Sequence, residues 1–66
     1  MPEVADTLLA RARRVTLARN ALEVALTARD EMIVVAAEQG MTITDIANLA
    51  GVSRQTIHRV MKDHRR

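Results

Sequence analysis

Thr42-Ile43-Thr44-Asp45-Ile46-Ala47-Asn48-Leu49-Ala50-Gly51-Val52-Ser53-Arg54-Gln55-Thr56-Ile57-His58-Arg59-Val60-Met61-Lys62 is the stretch on which the fold turns. Thr42 and Asp45 read as a capping box, in which the threonine hydroxyl accepts from the backbone three residues on while the aspartate reaches back. A helix of about two turns over Ile43–Ala50 follows, and Gly51 ends it. Ser53 is a second N-cap, opening a further helix through Lys62. Two short helices that cross steeply need a small residue at their approach, which Ala47 supplies, and Gly51 tolerates the positive φ of the turn. Ile46, Ala50, Val52, Ile57 and Val60 form the apolar wedge that fixes the crossing angle. The pattern Ile-Ala-x-x-Ala-Gly-Val-Ser-x-x-x-Ile-x-x-Val is that of a helix-turn-helix. A helical hairpin with a glycine turn shares the spacing, but it has no reason to load its second helix with side chains that read bases.

Before this stretch the chain reads as helix. Gly40 and Gly51 are the only glycines and Pro2 the only proline. Pro2 suits a first helical turn, and Gly40 suits the left-handed residue that closes a helix. Between Glu3 and Gln39 no glycine or proline interrupts a run rich in Ala, Leu, Arg and Glu. A period of 3.6 puts Val4, Leu8, Ala12, Val15, Ala18, Leu22, Ala25 and Leu26 on one face, and Ile33, Ala36 and Ala37 continue it. A thinner stripe of Ala10, Leu17, Ala21, Val24 and Ala28 lies roughly opposite. A single helix here would run ~54 Å at 1.5 Å per residue, longer than the rest of the chain covers. Thr27 and Asp30 form a second potential capping pair, so one helix and two helices divided near residue 27 both stay open, with a bend or break preferred. Arg11 falls where a strict heptad wants an apolar residue, which argues against a regular coiled coil. The uncovered stripe points to dimerisation through Val4, Leu8, Val15, Leu22 and Leu26; the alternative is that residues 3–26 fold back on residues 30–61.

Composition narrows the function classes. Sixty-six residues make one small domain, below the size at which a single core gives a comfortable stability margin. Without cysteine there is no disulfide scaffold, zinc finger or thiol nucleophile, and without aromatic residues there is no platform for stacking unpaired bases. The longest apolar run, Met32–Ala37, is far short of the ~20 residues that span a bilayer. Met1-Pro2-Glu3 lacks the basic start of a signal peptide, so a cytoplasmic location is expected. His58 and His64 do not share a helical face, which leaves no metal site, and no cofactor motif occurs. Glu23, Asp30, Glu31 and Glu38 alternate with arginines and read as surface ion pairs, not as a catalytic carboxylate dyad. So small a core leaves no room for an enclosed substrate pocket, and an enzyme is not expected.

Charge is unevenly placed. Residues 1–50 carry Arg11, Arg13, Arg14, Arg19 and Arg29 against seven acids, whereas residues 51–66 carry Arg54, Arg59, Lys62, Arg65 and Arg66 against Asp63 alone. A basic end beside a mildly acidic body faces a polyanion. Side chains near the N-terminus of a helix in the major groove reach base edges, and those further along meet phosphate. Arg54 and Arg59 suit guanine O6 and N7, and Gln55 suits adenine N6 and N7. His58 suits a base or a phosphate, and Thr56 the backbone or a thymine methyl. Thr42, Thr44 and Ser53 can hold phosphates through hydroxyls and helix N-termini, with Lys62, Arg65 and Arg66 adding charge.

The run Thr42–Met61, through Ala-Gly-Val-Ser, Gln-Thr and Arg-Val, resembles the helix-turn-helix of lactose-repressor-type bacterial regulators. That resemblance implies base reading by Arg54, Gln55 and Arg59. It covers about a third of the chain. In that family the motif is N-terminal and precedes a hinge helix and a sugar-binding domain, whereas here it ends near Arg66, so no small-molecule effector is implied. The order looks more like that of compact tri-helical regulators of bacteria and phages, with a helix at about 28–39 bracing the motif.

The sequence therefore predicts an all-α protein, a tri-helical helix-turn-helix preceded by a long N-terminal helix. Residues 1–26 are the dimerisation element and 27–66 the DNA-binding domain. The expected function is a homodimeric, sequence-specific binder of double-stranded DNA, repressor-like, with helix 53–64 in the major groove and two heads ~34 Å apart. The alternatives are an accessory factor in recombination, replication or partition, and a helical protein–protein interaction module.

Overall fold

Pro2 occupies the first turn of a helix and Glu3 sets a negative charge at its N-terminal end, so the chain enters helix at once. The computed structural model describes residues 1–64. Three helices follow in order: α1 (Pro2–Glu38), α2 (Ile43–Ala50) and α3 (Arg54–His64). The described residues contain no strand. The fold is the expected all-α one, a long N-terminal helix followed by two short ones.

The preferred bend or break near residue 27 does not occur: α1 is one helix of 37 residues. At 1.5 Å per residue that is ~55 Å, and it accounts for the 58 Å long dimension of the molecule. The capping signal at Thr27 is overridden because both flanks are helix formers without glycine or proline. Asp30 instead takes the Arg29 guanidinium, with Nη2 at 2.9 Å and Nε at 3.1 Å. Thr16 is absorbed similarly, its hydroxyl donating to the Ala12 carbonyl at 3.3 Å. Among the described residues Arg29–Asp30 is the only ion pair that closes. Glu23, Glu31 and Glu38 thus do not form the surface pairs expected of them, since an exposed pair gains little against the side-chain entropy it costs.

Both glycines adopt the left-handed conformation that ends a helix, with φ +90 at Gly40 and +69 at Gly51. Past α1, the Met41 amide donates to Ala36 O and the Gly40 amide to Ala37 O, each at 3.1 Å. The Val52 amide repeats the long bond to Ala47 O at 3.1 Å past α2. These bonds satisfy carbonyls that a helix end leaves open. A Cβ at Gly51 would meet no atom within 4 Å, so Gly51→Ala is expected to cost only the left-handed strain, about 1–2 kcal/mol. A thermal melt in which this variant is as stable as the original would contradict the turn geometry.

The core is small and made by all three helices. Ile33 and Val34 of α1, Ile46 and Ala47 of α2, and Ile57 and Val60 of α3 are its buried members. Ala36, Ala37, Ile43, Ala50, Val52 and Met61 pack around them. The residues expected to form the wedge between α2 and α3 all lie in this cluster or against it, with Ile57 wholly enclosed. Residues 2–28 take no part: every one is exposed, and they form an arm projecting from the head. Residues 3–26 do not fold back on the rest of the chain.

Candidate nucleic-acid interface

Caps position the site. Ser53 Oγ accepts from the Thr56 amide at 3.1 Å and bonds the Thr56 hydroxyl at 3.0 Å, locking the first turn of α3. Thr42 Oγ1 accepts from the Asp45 amide at 3.1 Å and opens α2 in the same way. Only this half of the expected reciprocal box forms among the described residues.

Packing then decides which side of α3 faces outward. Ile57 and Val60 enter the core and Met61 lies half-buried beside them. At about 100° per residue, Gln55, Arg59 and Lys62 fall on the face opposite Ile57, with His58 next to it. Arg54, about 60° from Ile57 by the same count, flanks the core side and is exposed at the start of α3. All five side chains are exposed, and none makes a hydrogen bond or ion pair within the described residues. Thr42, Thr44 and Ser53 are exposed at the two helix N-termini, whereas Thr56 is half-buried and held by Ser53. The structure thus gathers Gln55, His58, Arg59 and Lys62 on one surface, with Arg54 beside it at the start of α3. Arg65 and Arg66, expected to add phosphate contacts, lie outside the described residues.

That surface and the helix start together carry two arginines and a lysine, against which Asp63 is the only acid of α3. It joins a positive field to the fork and carboxamide groups that read purine edges. Among the described residues no three histidine, cysteine or carboxylate side chains cluster as a metal site would require. An apolar groove of about 320 Å³, lined by Arg29, Met32, Ile33, Ala36, Met41, Ile46, Leu49 and Ala50, lies on the head. It opens to solvent, and Arg29 is its only charged residue. No helix of the described residues is long and apolar enough to cross a membrane.

Residues 34–64 match the family model for the helix-turn-helix domain of resolvase. The match takes in the end of α1, all of α2 and all of α3, which is the head without the arm. No curated protein and no solved structure matches the chain. Fold and match together define a small helix-turn-helix protein of the DNA-binding kind. The match is to the resolvase motif and lends nothing to the lactose-repressor likeness.

Proposed function

We propose that this protein is a sequence-specific binder of double-stranded DNA that acts as a homodimeric transcriptional regulator, repressor-like, with α3 in the major groove. The observation that carries this reading is the division of α3: Ile57 and Val60 anchor it while Arg54, Gln55, Arg59 and Lys62 stand free on the outside. Arg54, Gln55 and Arg59 read bases, and His58 and Thr56 support them at a base or the backbone. Thr42, Thr44, Ser53 and Lys62 hold phosphates, as do Arg65 and Arg66. The arm pairs two copies through Val4, Leu8, Val15, Leu22 and Leu26, which are 37–67% exposed in the single chain. One head buries too little surface for useful affinity, and a second head supplies the remainder. Regulation runs through protein concentration or a partner, and the site of action is the bacterial cytoplasm or nucleoid.

A second reading, an accessory factor in DNA recombination, draws support from the resolvase character of the matched domain. Both readings need duplex DNA. Selection from random duplexes followed by sequencing tests them: the expected result is enrichment of a two-fold symmetric motif, and an unenriched pool overturns both. Chromosomal mapping then separates them, promoter-proximal sites favouring the regulator and sites at recombination junctions the accessory factor.

Lys62→Ala separates positioning from reading. It is expected to weaken binding to all sequences about equally. The slope of log affinity against log salt should fall by about 1 for each phosphate that the variant leaves unneutralised. A change of preferred sequence in this variant would move Lys62 from the backbone to a base.

A further inference from the structure

Five large aliphatic side chains of the arm share one direction with a residue already buried in the head. Leu26, Leu22, Val15, Leu8 and Val4 precede Ile33 by 7, 11, 18, 25 and 29 residues. At 3.6 residues per turn each lies within about 20° of Ile33. Ile33 is 3% exposed, covered by α2 and α3. The head therefore sits on the same side of α1 as the open stripe. From this juxtaposition we infer that the stripe is covered by a second copy of the chain running antiparallel, with the two-fold axis between Thr16 and Leu17. This arrangement presupposes the homodimer proposed above and specifies its geometry.

A parallel, in-register pair is sterically closed. Packed helices lie 8–10 Å apart, whereas each head adds helices of about 10 Å diameter on the facing side. Two heads at one height would fill the same space. The antiparallel pair removes that conflict, because the two heads then stand at opposite ends of the rod. Pro2 of the second copy comes level with Glu31, and its first turn lies beside the start of the head at Arg29 and Asp30.

Arg11 points the same way. Arg11 falls within the seam, and Arg14 and Arg19 flank it on opposite sides. Parallel pairing would set Arg11 against Arg11 and Arg14 against Arg19, like charges at the flanking positions that decide orientation. Antiparallel pairing about Thr16–Leu17 separates the two Arg11 side chains by roughly 16 Å along the axis, while Arg14 comes level with Arg19 of the second copy across the seam. Size matches as well: Leu8 meets Ala25 and Val15 meets Ala18, large against small, while the stem of Arg11 covers Leu22. Two heads joined in this way stand about 50 Å apart along the rod, measured between the Ile33 levels, so the half-sites are spaced more widely than one helical turn of DNA.

The chain has no cysteine, so introduced thiols report orientation directly. Leu8→Cys and Ala25→Cys full-length chains are unfolded, mixed, refolded together and oxidised. The expected result is a disulfide-linked dimer carrying one copy of each, formed about 100-fold faster than the linked dimers of either variant alone, because only the mixed pair holds its thiols at millimolar effective concentration. Rapid self-linking of the Leu8→Cys chain would show parallel helices, overturning the orientation and leaving the homodimer intact. A dimer by sedimentation in which the mixed pair does not link also overturns the orientation alone. Sedimentation of the unmodified chain as a single 7.3 kDa species at high concentration overturns the homodimer itself.

Discussion

Replacing Ile57 with alanine is expected to unfold the head and abolish DNA binding. Among the described residues Ile57 is the one fully enclosed large side chain, at 0% exposure, and it contributes to a core of only six buried residues drawn from three helices. Truncating such a residue costs about 2–5 kcal/mol, the forfeited transfer energy together with the cavity left behind. A chain of 66 residues has roughly 3–10 kcal/mol of stability in total. The loss is therefore comparable with everything that keeps α2 and α3 in place. Thermal or urea melts followed by circular dichroism measure it. Ile57→Val, which removes a single methylene, should lose only about 0.5–1.5 kcal/mol and stay folded. Leu17→Ala, on the exposed arm and off the stripe, should leave the head's melt within about 0.5 kcal/mol of the original. Equal loss for Ile57→Ala and Leu17→Ala would mean that the head is not the folding unit described.

Arg54→Ala is expected to have the largest effect on recognition without unfolding the protein. The side chain is exposed at the start of α3, next to the Ser53 cap, and it has no partner among the described residues. Its removal opens no cavity. A guanidinium that holds guanine O6 and N7 is worth about 1–3 kcal/mol of discrimination, so affinity for the selected site should fall about 5- to 150-fold at unchanged melting temperature. Preference should relax at one base pair of each half-site and persist at the others. An unchanged sequence preference, read by selection and sequencing, would remove Arg54 from base reading and leave Gln55 and Arg59 to carry it. The contrast with Lys62→Ala is informative because both remove one positive charge from α3, yet only one is expected to alter which sequence is chosen.

Local chemistry made the head legible from its residues. Thr42, Gly51 and Ser53 each have a backbone task that few other residues perform, and each performs it in the structure. Ile46, Ala47, Ile57 and Val60 recur at helical spacing across a turn of fixed length, so their convergence follows from the period. The arm was less legible. Thr27 and Asp30 have the spacing of a cap, but a cap only competes with helix propagation, and the flanking Ala, Leu and Glu residues win that competition in a chain segment without glycine or proline. The ion pairs expected along α1 failed for a related reason, because charge spacing records proximity and not the entropy lost by joining two exposed side chains. The outward face of α3 follows from the positions of Ile57 and Val60. What it touches depends on a second molecule, which periodicity within one chain does not encode.

Titration of the isotopically labelled full chain with its selected duplex, followed by backbone amide NMR, tests the central claim most directly. Amides at the two helix N-termini and along the exposed side of α3, from Ser53 to Lys62, should shift or broaden, while those of residues 3–20 keep their positions. Perturbations confined to the arm, with α3 unmoved at saturating DNA, would contradict it.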